Sequence, residues 1–408
     1  MRLCSAGWVV PIAAPPLREG AVLLADDGAT VMAVGPRAEL RRDHPAVPEE
    51  RAGGILMPGL VNAHAHLELS ALRGQVPGGD GLVPWTRRLA GRLAETDAAV
   101  MERAAREAAA SAVACGTAAI GDVGNGVNGY RALRAAGLGG VFFHELVGSR
   151  EARTGDAIAD AAAERDRVPP DERPSHVAVV EAPHAPYSVG ADLLRRLFAG
   201  AARDGVATTI HLAEDAEEIA LLGEGRGAWP PVLRALGVDP QTRTPGRRPV
   251  AYLDDLGAFA GPRPPLLVHM VHADADDLRR AAAAGATVVL CPRSNLHIGG
   301  CLPDVPATLD AGVPLAIGTD SLASVADLSP WAELSALAAH FPDVPPSVWL
   351  RAATRGGAQA LGLTSAGALV AGARPGLLDV TPAGASALDP ERALATDPNP
   401  RIEWMAHA

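Results

Sequence analysis

Short apolar, β-branched runs alternate with alanine- and leucine-rich stretches along most of the chain, and that alternation leaves few folds open. A parallel strand buried on both faces reads as a continuous apolar run, and the next strand is reached through a crossover helix. Eight runs fit: Ile55–His66, Thr117–Val123, Val141–Leu146, His176–Ala182, Ala207–Leu212, Leu266–His272, Thr287–Cys291 and Pro314–Thr319. The helices between them are clearest at Val100–Ala114, Ala191–Asp204, Asp274–Ala284 and Pro330–Ala339, where Ala and Leu recur at helical spacing. Eight strand–helix units predict an α/β chain of the (β/α)8 TIM-barrel type over residues 58–362.

Both ends of the chain fall outside this repeat. Ala21–Ala25, the turn Asp26-Asp27-Gly28 and Thr30–Val34 read as a hairpin, and Gly367–Val370 through Leu378–Val380 has the same strand-and-turn character. Residues 1–57 and 363–408 are therefore expected to pair as one small discontinuous domain, a β-sandwich beside the barrel. Between Gly223 and Pro265 the chain is rich in Gly, Pro and Arg, and this long connection is expected to carry a short helix and a loop near the substrate.

A net charge of -11, with no basic segment, argues against a nucleic-acid backbone or an anionic membrane as partner and leaves a small molecule. Cys4, Cys115, Cys291 and Cys301 form no CxxC pair, and Cys291 reads as a packed thiol in a strand. The apolar start, Gly7–Val10, is short and broken by Pro11, Pro15 and Pro16, so it reads as a strand and not a signal peptide, with a cytoplasmic location.

The polar residues that follow the apolar runs carry the chemistry. His64 and His66 flank Ala65, His211 precedes Glu214 by three residues, and His269 and Asp320 each follow an apolar run. Neutral imidazole suits Zn2+ or Fe2+, and a catalytic site needs about three or four protein ligands with one position open to water. His64, His66, His211 and Asp320 fill that number. Glu214 falls where a carboxylate shuttles protons from water to a leaving nitrogen; the alternative is that it only starts a helix, a place Asp215, Glu217 and Glu218 fit better. His269 is expected to orient the nucleophile and polarise the atom under attack, with His272 as a further candidate for the same task. Asp320 is expected both to ligate the metal and to accept a proton; capping the next helix is its competing role.

The segment Pro58–His66, the His211/Glu214 pair, the His269 strand and Gly318-Thr319-Asp320 together resemble the amidohydrolase superfamily over almost the whole chain. Ala182–Ser188 and Cys291–Asn295 are similar to its aminohydrolase branch, which deaminates purines, pteridines and related N-heterocycles, and His66–Ser70 adds a likeness to the aminodeoxyfutalosine deaminase group. The resemblance implies one divalent ion, since the fourth strand lacks the lysine that bridges two, and a possible homodimer. It also implies that His184 and Asn295 face the substrate, that Trp85 encloses the ring from a loop after the first strand, and that Glu68 and Arg293 hold the ring or a distal carboxylate. The expected reaction is hydrolytic deamination of an adenine-type ring, aminodeoxyfutalosine first. The alternatives are deamination of adenosine, S-adenosylhomocysteine or a guanine-type ring, hydrolysis of a cyclic amide, dechlorination, or an inactive barrel that only binds.

Overall fold

A computed structural model describes residues 1–148, 154–174, 176–235, 246–383 and 389–408. The small sheet holds β1 (Arg2–Val9), β2 (Leu17–Leu24), β3 (Val31–Pro36), β4 (Glu49–Arg51) and β5 (Ile55–Pro58) from one end of the chain. Eight strands follow: β6 (Leu60–Ala65), β7 (Thr117–Gly124), β8 (Gly139–Leu146), β9 (Val177–Pro183), β10 (Thr209–Leu212), β11 (Leu266–His269), β12 (Val288–Leu290) and β13 (Leu315–Ile317). The chain then returns to the small sheet with β14 (Leu377–Thr381) and β15 (Arg401–Ala406).

The eight central strands form two parallel sheets of four, in the orders β6-β7-β8-β9 and β10-β11-β12-β13. Hydrogen bonds join the sheets at both edges. On one side Thr319 N donates to His64 O at 2.9 Å and Asn62 Nδ2 to Thr319 Oγ1 at 2.7 Å. On the other, His211 N donates to His184 O at 2.9 Å and Thr208 Oγ1 to Glu181 O at 3.0 Å. Gly318 permits the first seam: a Cβ there would stand 2.7 Å from His64 Cβ and 2.9 Å from Cys291 Sγ. Alternate residues of the strands divide between two apolar layers. Val61, Ala63, Phe143, Val180, Val268 and Val289 pack together, while Leu60, Ile210, Leu267 and Val288 pack with the surrounding helices.

The surrounding helices follow the sequence periodicity. Ala191–Asp204 is helical over the expected span and Ala275–Ala284 begins after Asp274, whose carboxylate caps it. Trp331, on the helix Pro330–His340, is 1% exposed, and its Nε1 donates to Cys115 O at 2.9 Å. Trp331→Ala is expected to destabilise the fold by about 3–5 kcal/mol, read from the midpoint of urea unfolding.

The terminal strands depart from the expectation in three ways. The single run Ile55–His66 splits at Gly59, where a Cβ would meet Ala118 Cβ at 2.5 Å, so β5 joins the small sheet and β6 the central strands. The terminal strands form one seven-stranded sheet, not a sandwich, because β5 pairs with both β1 and β14 and so joins the two chain ends edge to edge. Gly367–Val370 is not a strand; its place beside β14 is taken by β15, which pairs antiparallel with it.

Candidate active site

Residues i and i+2 of a strand share a face, so the spacing of His64 and His66 at the end of β6 brings both rings to one side. The ends of β10 and β11 add His211 and His269, and the turn after β9 adds His184. His64 lies 4.9 Å from His66 and from His211, centroid to centroid, and 6.0 Å from His269; His184 is 5.0 Å from His211. Burial, reinforced by the neighbouring imidazoles, holds His64 well below the ordinary histidine range and moves His66 to about 3. Burial likewise takes His269 to about 3, so these rings are neutral and free to act as ligands.

The backbone turns sharply here. Ala213, His269, Met270 and Asp320 have φ of 49°, 77°, 53° and 60°, a left-handed conformation that non-glycine residues adopt at a cost. This turn ends β11 at His269, short of the expected His272.

Among the described residues, the ligand atoms of His64, His66 and Asp320 lie within 4.8 Å of one another, as do those of His64, His211 and His269. His66 Nε2 is 3.2 Å from His211 Nε2 and 3.7 Å from Asp320 Oδ1. His64 is fully buried, and among the described residues neither of its ring nitrogens has a hydrogen-bond partner. An orphaned buried imidazole is costly, by about 1–3 kcal/mol, and this donor set fits a divalent cation. The outer contacts fix the donors. His211 Nδ1 bonds His184 O at 2.9 Å, which leaves Nε2 to face His66, and Ser294 and Ser324 donate to Asp320 Oδ2, which leaves Oδ1 on the histidine side.

Glu214 Oε1 stands 3.6 Å from His269 Nε2. Burial, with Asp320 and Glu218 adding to it, raises the Glu214 carboxyl well above the usual carboxylate range. Its turn is pinned by Glu218, which is fully buried and accepts from Glu214 N at 3.1 Å; Glu218 thus does more than favour a helix start.

A cavity of about 300 Å3 ends on His66, His184, His211, Glu214, His269 and Asp320. Its outer wall is apolar: Trp85, Leu89 and Leu93 from the helix Leu82–Glu95, and Trp229 with Leu233 from the helix Trp229–Ala235. Trp85 therefore sits on a helix and not in a loop. Trp229 stacks on Tyr187 with centroids 4.3 Å apart, and His184 Nδ1 bonds Ser188 Oγ at 2.6 Å. Trp229 lies in the expected 223–265 connection, of which residues 236–245 fall outside the described residues.

Three expected substrate residues take other places. Glu68 accepts from Asn125 N at 2.7 Å and Gly126 N at 3.1 Å, so it pins the loop after β7 and does not line the cavity. Arg293 is committed to Glu333 Oε1 at 2.7 Å and Asp327 Oδ1 at 3.0 Å, outside the cavity. Asn295 Nδ2 bonds His269 Nδ1 at 2.9 Å, which fixes that ring; Asn295 lines a neighbouring cavity, as does His272. Because Glu333 is fully buried, Arg293→Met should lower stability by about 3 kcal/mol in urea unfolding while leaving KM unchanged; a raised KM with normal stability would restore Arg293 to the substrate. Glu145, not singled out in the sequence, lines the cavity with its buried Oε1 3.5 Å from His211 Nδ1 and without a hydrogen bond among the described residues. A lone acid ending an apolar strand was its only signal.

The amidohydrolase family model matches residues 55–382. The chain belongs to the amidohydrolase family. Among its amidohydrolase relatives, the aminodeoxyfutalosine deaminase of Deinococcus radiodurans is 34% identical over 343 residues, covering 82% of this chain and 80% of that one. The solved aminofutalosine deaminase of Helicobacter pylori, in complex with methylthio-coformycin, superposes with a TM-score of 0.82 at 21% identity, over 97% of this chain and 95% of that one. An adenosine deaminase from Xanthomonas campestris, solved with bound zinc, gives a TM-score of 0.74 at 25% identity, over 99% and 91%. No helix among the described residues of this amidohydrolase is long and apolar enough to cross a membrane.

Proposed function

We propose that this amidohydrolase is a metal-dependent deaminase of an adenine-type heterocycle carried on a nucleoside, with aminodeoxyfutalosine as the leading substrate. The observation that supports it most is Glu214, a buried carboxyl beside a cluster of neutral imidazoles at the closed end of an apolar cavity. His64, His66, His211 and Asp320 would hold one Zn2+ or Fe2+. When bound, the ion supplies a Lewis acid and makes water a stronger nucleophile at neutral pH.

The residues of the chain then divide the work. The apolar wall of Trp85, Leu89 and Trp229 takes the flat ring out of water, and His184 holds its edge. A water oxygen bonds to the ring carbon that bears the amino group while Glu214 takes the water's proton. Glu214 returns that proton to nitrogen, the carbon–nitrogen bond breaks, and nitrogen leaves as ammonia with the bonding pair. His269, fixed by Asn295, holds the attacking and attacked atoms together.

We also read β6–β13 as a closed (β/α)8 barrel over residues 58–362, with residues 1–57 and 363–408 as a smaller domain; the hydrogen bonds at both seams support closure. The functional reading is tested by ammonia release and the accompanying ultraviolet change from metal-loaded protein given aminodeoxyfutalosine, adenosine, S-adenosylhomocysteine, guanine and cytosine. Turnover of aminodeoxyfutalosine well above the others is expected; silence across the panel with metal bound would reject a deaminase of these rings.

A further inference from the structure

A second cavity, of about 410 Å3, abuts the first, and Leu82, Glu214 and Ile298 line both. We propose that this second cavity is the exit for ammonium, separate from the mouth that admits the heterocycle; the inference rests on the deaminase reading above.

The second cavity runs from solvent to the reacting end of the site. Asp80, Ala216, Ala228, Gly299 and Cys301 at its rim are exposed, whereas Asn295 at its inner end is 4% exposed. Asn295 commits its Nδ2 to His269, and its buried Oδ1 has no hydrogen-bond partner among the described residues. The Glu214 side chain is 9% exposed and accepts no hydrogen bond among the described residues. Two acceptors that line one cavity and take no hydrogen bond among the described residues fit a small visitor that brings N–H donors.

Charge separates the two routes. The second cavity is lined by Asp80, Asp215 and Glu217 as well as Glu214, with no arginine on its wall among the described residues. Asp80 is paired with Arg88; among the described residues Asp215 and Glu217 accept hydrogen bonds from backbone N–H groups, of Leu82, Glu217 and Ala228, and Arg226 acts on Glu217 through space without a hydrogen bond to it. The first cavity has its acids, Glu145, Glu214 and Asp320, at the closed end, and its outer wall is Trp85, Leu89, Leu93 and Trp229. A carboxylate-lined passage lowers the energy of a cation and offers little to a flat apolar ring. The bookkeeping of atoms agrees: nitrogen departs with the electron pair of the broken bond, takes its proton from Glu214 and is released at the one acid that borders both cavities. Ammonia becomes ammonium by taking a further proton from water.

Ala216→Trp and Cys301→Trp would narrow the passage from two independent rim positions, and metal content checks that each full-length variant is folded. With aminodeoxyfutalosine as substrate, the single-turnover rate and kcat/KM are expected to stay at parental values while steady-state kcat, and KM with it, falls about fivefold or more, as release becomes limiting. Added ammonium chloride should inhibit the parent non-competitively with the nucleoside. Unchanged kcat in both variants, a single-turnover rate or kcat/KM that falls with kcat, or ammonium competing with the nucleoside would each overturn the separate exit. A parent that releases no ammonia would instead reject the deaminase reading and this inference with it.

Discussion

Glu214→Gln should bind metal as the parent does and turn over roughly 10²–10⁴-fold more slowly. Gln keeps the length and the hydrogen-bonding reach of the side chain but neither takes up nor returns a proton, so the loss should fall on kcat and leave KM within about twofold. The turn that presents residue 214 is held by its backbone N–H to Glu218, at 3.1 Å, and that bond survives the substitution. The amide has the shape of the carboxyl and brings no charge into a side chain that is only 9% exposed, so the substitution should not unfold the protein. Metal analysis, kcat and KM together decide the assignment: loss of metal in this variant would make Glu214 a ligand, and an unchanged kcat would place proton transfer elsewhere.

His64→Ala is expected to lose both metal and activity. The native ring is fully buried and neither nitrogen has a hydrogen-bond partner among the described residues; a bound cation would take one of the two. The alanine variant removes the need and the donor at once, so its metal-free form should unfold at nearly the same denaturant concentration as metal-free parent. The two proteins should part when Zn2+ is added. A ligand that binds only the native state at 100 times its Kd stabilises it by about 2.7 kcal/mol, and that gain should appear in the parent and vanish in the variant. Equal stabilisation of both by Zn2+ would remove His64 from the site.

Much of this architecture was legible because parallel strands buried on both faces and their crossover helices leave strong periodic signals. The helix Ala191–Asp204 and the strands at Thr117, Val141 and Leu266 read directly from apolar spacing. The histidines were legible for a related reason: a polar residue that follows a buried run stands at the end where strands present their chemistry. Charged side chains away from those ends were not. Glu68 and Arg293 lie close in sequence to His66 and Asn295, but whether such a group faces a cavity or a partner depends on elements far along the chain, here the loop at Asn125 and the helix that carries Glu333. The small sheet was misread for a comparable reason. Its order is set by β5, a strand of four residues that looks continuous with β6 until Gly59 turns the chain.

The seam between β6 and β13 has a consequence for how the protein is made. Asn62 and Thr319, which hydrogen-bond across it, are 257 residues apart. At roughly 5–20 residues per second, a ribosome needs about 13–50 s to travel from the first to the second. For all that time His64 and His66 wait on the nascent chain without Asp320. A chain halted before β13 holds most of the histidines but neither the final carboxylate nor the edge that brings it to them. The candidate site is therefore complete only once Asp320 has been made, and release of a product truncated before it leaves an incomplete site.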